Sequence, residues 1–338
     1  MVTAKDVAKR AGVSQATVSY VMSGSRPISE ATKKRVHRAM QDLGYVPNAN
    51  ARSLAGGRNN MIAVMVRMDK NTQMAELHPF LTTIVSEAGK RECNVMLMPA
   101  EEGVEGLDHL VRQGTIDGVV VFDIEWHDSR LADVAALQVP TVLIGTTEDA
   151  HGLPCVDVDY RRIAQLCVNY LAQVGSQRMV LIGDSERGVE KYAFAKFFAD
   201  ESRVVAAVLG MQYDLFVPPY PGWRGMWTFS DTLKELAACH GGIAVRTPEV
   251  LGELMQLCAE LDIVPGRDVQ VVAVYVDGHA ERLRYPVTNV DPVPEEVSVE
   301  TVRELFEQID GKPCEAVRLV QPHITERDGI DDLDAVAI

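Results

Sequence analysis

From Met61 onward, short apolar runs alternate with helical patterns to the end of the chain, and this alternation constrains the fold more than any other feature. Runs at 62–66, 95–98, 119–122, 142–145, 180–183, 243–245 and 269–274 read as strands. Stretches at 81–91, 131–137, 163–174, 233–239 and 250–261 carry helical spacing. The strands are apolar along their length rather than at alternate positions, so both faces must be covered. Strand, helix, strand in repetition means parallel sheets with helices on both sides. One core seldom grows to the roughly 270 residues of this stretch, so two lobes are expected, preceded by a small all-α head.

Charge sets the head apart. The first 60 residues hold ten Lys/Arg and three Asp/Glu, a net of +7, whereas the other 278 residues carry −22. A basic head on an acidic body fits a polyanion-binding module joined to a second function. The acidic body repels DNA and confines any such binding to the head.

Within the head, Thr3 caps a helix at 5–10 with Val7, Ala8 and Ala11 inward, and Gly12 makes the turn. Ser14 caps a second helix at 15–22 with Val18, Val21 and Met22 inward. Two short helices around a glycine turn describe a helix-turn-helix. The second helix turns Gln15, Ala16, Ser19 and Tyr20 outward, groups suited to a major groove. Ser29 opens a third helix, which Gly44 closes. Asn48 can cap a fourth of about two turns, ending at Gly56, too short to be stable alone.

Asp6-Val7-Ala8, Ala11-Gly12-Val13-Ser14, Ala16-Thr17-Val18-Ser19 and Ala51-Arg52-Ser53-Leu54 resemble the head and hinge of the lactose-repressor/galactose-repressor (LacI/GalR) family of bacterial transcription regulators, almost continuously from Thr3 to Gly56. The resemblance implies that Gln15 and Ala16 sit over base edges with Tyr20 one turn on, and that Ser14, Thr17, Ser23 and Ser25 contact phosphates. Asn48 to Ala55, including Ala51 and Arg52, would form the hinge helix, and Leu54 of each protomer would wedge into the central base step of the minor groove. The alternative for Leu54 is a contact within the hinge. Members usually carry arginine where Tyr20 stands, so preference at that base should differ here.

The body resembles the family's periplasmic-binding-protein-like regulatory domain at Asp117 to Val121, Val139 to Gly145 and Val264 to Val269. This implies a head at 1–47, a hinge and linker at 48–60, and an effector-binding and dimerisation domain at 61–338. Lobe one would span 61–158 and 290–320, and lobe two 159–288 and 321–338, with crossings near Val158, Asn289 and Val320. A homodimer follows by the same resemblance, and too few residues follow Gly329 for a heptad tetramerisation tail.

The sugar signature departs from the family pattern. Lys191-Tyr192-Ala193-Phe194-Ala195 replaces Arg-x-x-Gly-Phe, Arg246-Thr247 replaces Asn-Asp, and Ala273 to Val276, with Tyr275 and a displaced Asp277, replaces Gly-Phe-Asp-Asp. An ordinary monosaccharide effector is therefore not expected. Two readings stand: Arg246 and Lys191 meet an anionic effector, or they are salt-bridged surface groups and the cleft has lost its ligand. Phe80, Asp123 and Trp126 follow strand ends of lobe one, where open parallel sheets bind ligands. The aromatic stretch from Tyr213 to Phe229, with Trp223, is either a wall of the cleft or packing on lobe two.

Other classes are excluded on motif grounds. Gly183 to Arg187 lacks the second glycine of a nucleophile elbow, and no phosphate loop, dinucleotide fingerprint or zinc-binding histidine pair occurs. The six cysteines form no C-x-x-C pair, and no metal or cofactor is expected. The N-terminus lacks an apolar signal core and no run is long enough to span a membrane, so a cytoplasmic protein is expected. The expected function is repression from a pseudo-palindromic double-stranded DNA operator under a small effector. The alternatives are a regulator with a degenerate cleft, controlled by a protein partner or by concentration alone, and a ligand-binding module with a vestigial head.

Overall fold

The computed structural model describes residues 2–23, 26–45, 58–68, 74–100, 103–184, 186–283 and 286–327. The expected hinge residues Asn48, Ala51, Arg52 and Leu54 and the loop residue Ser25 lie outside them.

Three helices make the head: α1 (Ala4–Ala11), α2 (Gln15–Ser23) and α3 (Glu30–Leu43). The Asp6 N–H donates to Thr3 Oγ1 while the Thr3 N–H donates to the Asp6 carboxylate, a reciprocal cap that satisfies donors helix α1 leaves open. Gly12 ends α1 at φ 65°, where a side chain would be strained. The Thr17 N–H donates to Ser14 Oγ at 3.1 Å and starts α2. Val7, Ala8, Ala11, Val18, Val36 and Ala39 form the buried centre. That is few side chains, so the caps contribute much of the head's order.

The body begins with β1 (Met61–Val66), α4 (Met74–Gly89), β2 (Asn94–Pro99), α5 (Gly103–Arg112), β3 (Gly118–Val121), α6 (Leu131–Ala136), β4 (Thr141–Ile144) and β5 (Cys155–Val158). The chain then crosses to α7 (Tyr160–Gln173), β6 (Arg178–Ile182), α8 (Glu186–Lys191), α9 (Ala193–Val208), β7 (Gln212–Phe216), α10 (Trp223–Met226), α11 (Ser230–Ala238), β8 (Gly242–Val245), α12 (Pro248–Glu260), β9 (Gln270–Val274), α13 (Asp277–Ala280) and β10 (Thr288–Asp291). It returns through α14 (Pro294–Ile309) to β11 (Val317–Val320), and ends across the boundary at β12 (His323–Thr325).

Two six-stranded sheets result, ordered β11-β5-β4-β3-β1-β2 and β12-β10-β9-β8-β6-β7. The first is wholly parallel, and the second is parallel except for β12 against β10. Each central strand is buried on both faces. Ile62, Val64 and Val66 meet one core, and Ala63 and Met65 meet another with Leu107 and Leu131. The second crossing follows Asp291, slightly later than the residue-289 position expected. β10 stays paired through Asp291, whose carboxylate accepts the Val293 N–H at 2.8 Å and turns the chain.

The chain enters the first lobe under tight polar control. Asp117, just before β3, accepts the N–H groups of Asn59 and Asn60 at 2.9 and 2.7 Å. Arg58 is ion-paired with Asp310 after α14. Within the described residues, the linker side of the body is thus held by the first lobe.

Candidate functional site

Two surfaces carry the expected chemistry. On the head, Ser14, Gln15, Ala16 and Ser19 are exposed along one side of α2, and Thr17 and Tyr20 are half-buried. The Ser14 and Thr17 hydroxyls lie 2.8 Å apart. Ser23 is the last residue of α2. The Arg26 guanidinium sits 4.8 Å from the Tyr20 ring centre, so a cation stands beside the position where the sequence lacks the usual arginine.

The second surface lies between the lobes. In sheets of this order the chain reverses direction beside the first strand, which leaves a crevice at the carboxyl ends of the flanking strands. The two crevices face each other. In the first lobe, Arg67 follows β1 and Asp123 follows β3, and Asp123 Oδ2 accepts the Arg67 N–H at 2.9 Å. In the second lobe, Asp184 follows β6 and Arg246 follows β8. They form a bidentate pair with both N···O distances 2.8 Å.

Two adjoining cavities of about 380 Å³ each occupy this space and share Glu76, Phe80, Tyr160 and Arg246. One continues past Asp123, Asp157, Asp184 and Phe194, and the other past Tyr275, His279, Pro292 and Pro294. Phe194 stacks on Tyr192 with ring centres 5.1 Å apart and lies 4.6 Å beneath the Arg246 guanidinium. Phe194 therefore fills volume that a glycine would leave open.

The electrostatics follow from burial and pairing. Burial opposes the Arg246 charge, but Asp184 and then Glu76 outweigh it and hold the guanidinium more firmly protonated than usual. Asp157 is fully buried and pushed up to about 7 by desolvation, although the Val158 N–H and Thr146 partly support its charge. Burial also raises the Glu76 carboxyl, with Arg246 opposing.

Five residues named from the sequence line these cavities: Phe80, Asp123, Phe194, Arg246 and Tyr275. Trp126 and Lys191 lie beside them as a direct bridge between the lobes. The Trp126 N–H donates to the Lys191 carbonyl at 2.6 Å, Lys191 Nζ is 2.9 Å from Glu125, and Trp126 meets Phe197 edge-on. Three residues stand outside the cavity walls. Trp223 packs on the second lobe's core beside Trp227, because an apolar ring gains more from that core than from solvent. Thr247 takes the cap position of α12. Asp277 is held by Asn289 and His323 at 2.7 and 2.9 Å. Arg246 is paired with Asp184 and Lys191 with Glu125, so both cations named for an anionic effector already have a carboxylate partner. Glu76, Asp157, Tyr160 and Asp184 are cavity residues that sequence reasoning missed.

The comparisons agree with this architecture. Residues 3–48 match the family model described as bacterial regulatory proteins, lacI family. The regulator CelR of Thermobifida fusca is 29% identical over 343 residues, covering 96% of this chain and 97% of CelR. A solved CelR–cellobiose complex superposes with a TM-score of 0.66 at 23% identity, covering 98% of this chain and 100% of that one. The lac repressor dimer bound to operator and the anti-inducer ONPF superposes at 0.77 and 20% identity, covering 97% and 98%. At those identities the structural likenesses bear on the fold alone. Head and body together define a DNA-binding transcription regulator. The family match lies on the head, at residues 3–48, and the curated relatives that the whole chain resembles are named as transcriptional regulators.

Two measurements test the site. Asp184→Asn leaves Arg246 buried without its partner and should cost about 3 kcal/mol in urea unfolding. Asp157, raised in the folded state, adds stability below its unfolded value of about 4 and loses it as pH rises through about 7. The stability of the wild type relative to Asp157→Asn should therefore fall between about pH 5 and pH 7 and level off above, read from melting temperatures across that range.

Proposed function

We propose that the protein is a repressor that binds a pseudo-palindromic operator as a homodimer and is controlled by a small molecule held between its lobes. The observation that carries this reading is the cleft, because the strand ends of both lobes converge on cavities whose walls come from each. A ligand there contacts both lobes at once and favours one arrangement of them. The linker side is tied to the first lobe through Asp117 and Arg58, so a change of lobe arrangement reaches the hinge. Such coupling is reciprocal and typically worth about 1–3 kcal/mol. CelR, solved with cellobiose, supports a neutral sugar-like ligand over an anion.

Dimerisation draws support from the sheet edges. β2 and β7 end their sheets on corresponding sides, with Leu97 and Val85 exposed in the first lobe and Leu215 and Val208 in the second. A partner copy covers such edges and apolar groups. The exposed side of α2 would enter the major groove of each half-site, and Leu54 of each hinge would wedge the central step. Among the described residues no helix is long and apolar enough to cross a membrane, and a regulator of chromosomal genes works in the cytoplasm. A second reading, control by a protein partner or concentration alone, is favoured by the Trp126–Lys191 bridge, which joins the lobes directly through the protein's own backbone.

Selection of bound DNA from a random pool should yield a symmetric site with a flexible pyrimidine–purine step at its centre. Leu54→Ala should weaken binding to that site at least tenfold at matched salt without unfolding the body. Recovery of no consensus, with binding that vanishes as salt rises, would leave only charge-driven association.

A further inference from the structure

Glu76 stands where the two cavities meet, in the first turn of α4. Its Oε1 is shut off from solvent and has no hydrogen-bond partner among the described residues. The neighbouring carboxylates are already engaged within the protein. Asp184 takes Arg246, Asp157 takes the Val158 N–H, and Asp123 takes the Arg67 N–H. Of the fully buried side-chain N and O atoms on the residues lining the two cavities, Glu76 Oε1 is the one without a partner among the described residues, and leaving such an atom unmatched is costly.

We infer that Glu76 is the specificity-determining residue of the cleft and selects an uncharged, hydroxyl-bearing ligand of two ring units, whose donor hydrogen it receives at the joint between them. This rests on the reading of the cleft as a ligand site. Each cavity has the volume of a small-molecule subsite, and one ring in each puts the linkage beside Glu76. Phe80 and Tyr160, which line both cavities, supply apolar ring surface, and prolines 79, 292 and 294 add apolar wall. At the wall beside Glu76 an anion is disfavoured, because its charge would lie next to Glu76 and Asp184 while Arg246 is already paired with Asp184. The charged groups acting on Glu76 are Arg246, which favours its ionised form, and Asp184 and Glu249, which oppose it. Together with burial they raise its carboxyl and let it share a proton with a hydroxyl.

The test is calorimetric titration of the full chain with cellobiose, maltose, glucose and glucose 6-phosphate, for the wild type, Glu76→Gln and Glu76→Leu. At least one disaccharide should bind the wild type about tenfold more tightly than glucose, with no heat from the phosphate. Glu76→Leu should weaken that disaccharide by about tenfold or more, with Glu76→Gln in between. Its ligand-free melting temperature should hold or rise, since the substitution removes an unmatched buried acceptor. A Glu76→Leu protein that melts several degrees lower yet keeps its affinity would give Glu76 a structural role and overturn the inference. Preferred binding of glucose or glucose 6-phosphate would overturn it while leaving the cleft reading intact. Silence from every probe, with operator binding unimpaired, would overturn the cleft reading and this inference together.

Discussion

A guanidinium buried against one carboxylate organises the space between the lobes. Arg246 and Asp184 leave the carboxyl ends of β8 and β6, two neighbouring strands, and lock in a two-point pair. The net stabilisation from such a pair is small once desolvation is counted, and its use is positional. The flat guanidinium covers Phe194, Phe194 stacks on Tyr192, and the Tyr160 ring lies tilted 5.7 Å from Phe194. One wall of the cleft is therefore built outward from a single ion pair.

The opposite wall uses a different device. Asp123 has φ 54°, an uncommon conformation for a residue other than glycine, and its carboxylate holds the backbone of Arg67 across the gap between β3 and β1. Both lobes have the same strand order around their central strand, so each brings its own crevice to the shared boundary. Three crossings join them, and the second passes through Val293 at φ 46°, a strained setting for a β-branched residue, pinned by Asp291.

Much of this was legible in the residues. The head could be read because its stop and start signals are local: Thr3, Ser14 and Ser29 are caps, and Gly12 and Gly44 take left-handed turns. Strands β1, β3, β4, β6, β8 and β9 could be read because their apolar runs match burial on both faces, whereas β10 alternates apolar with Asn289 and Asp291 and could not. β5 escaped notice because Asp157 interrupts four residues, and β7 and β11 because edge strands alternate like exposed loops. The helical spacing at 81–91 starts α4 after Pro79. The helix instead starts at Met74 and keeps Pro79 inside it, giving up one main-chain hydrogen bond, and the added turn carries Glu76. A lone glutamate in a first helical turn reads as ordinary dipole compensation, and only the opposing lobe shows what it faces. Trp223 erred the other way: an aromatic cluster in sequence has no direction, and here it turns into its own lobe.

The described contacts to the linker come from the first lobe, through Asp117 and Asp310. This places a condition on what the molecule can sense. A compound resting on the second lobe alone would bind equally well whatever the angle between the lobes. However tightly it bound, it would transmit nothing, because a ligand indifferent to two states cannot change their ratio. Only a molecule long enough to touch both walls can be read as a signal, so the reach of a compound, as well as its affinity, decides whether it carries information to DNA.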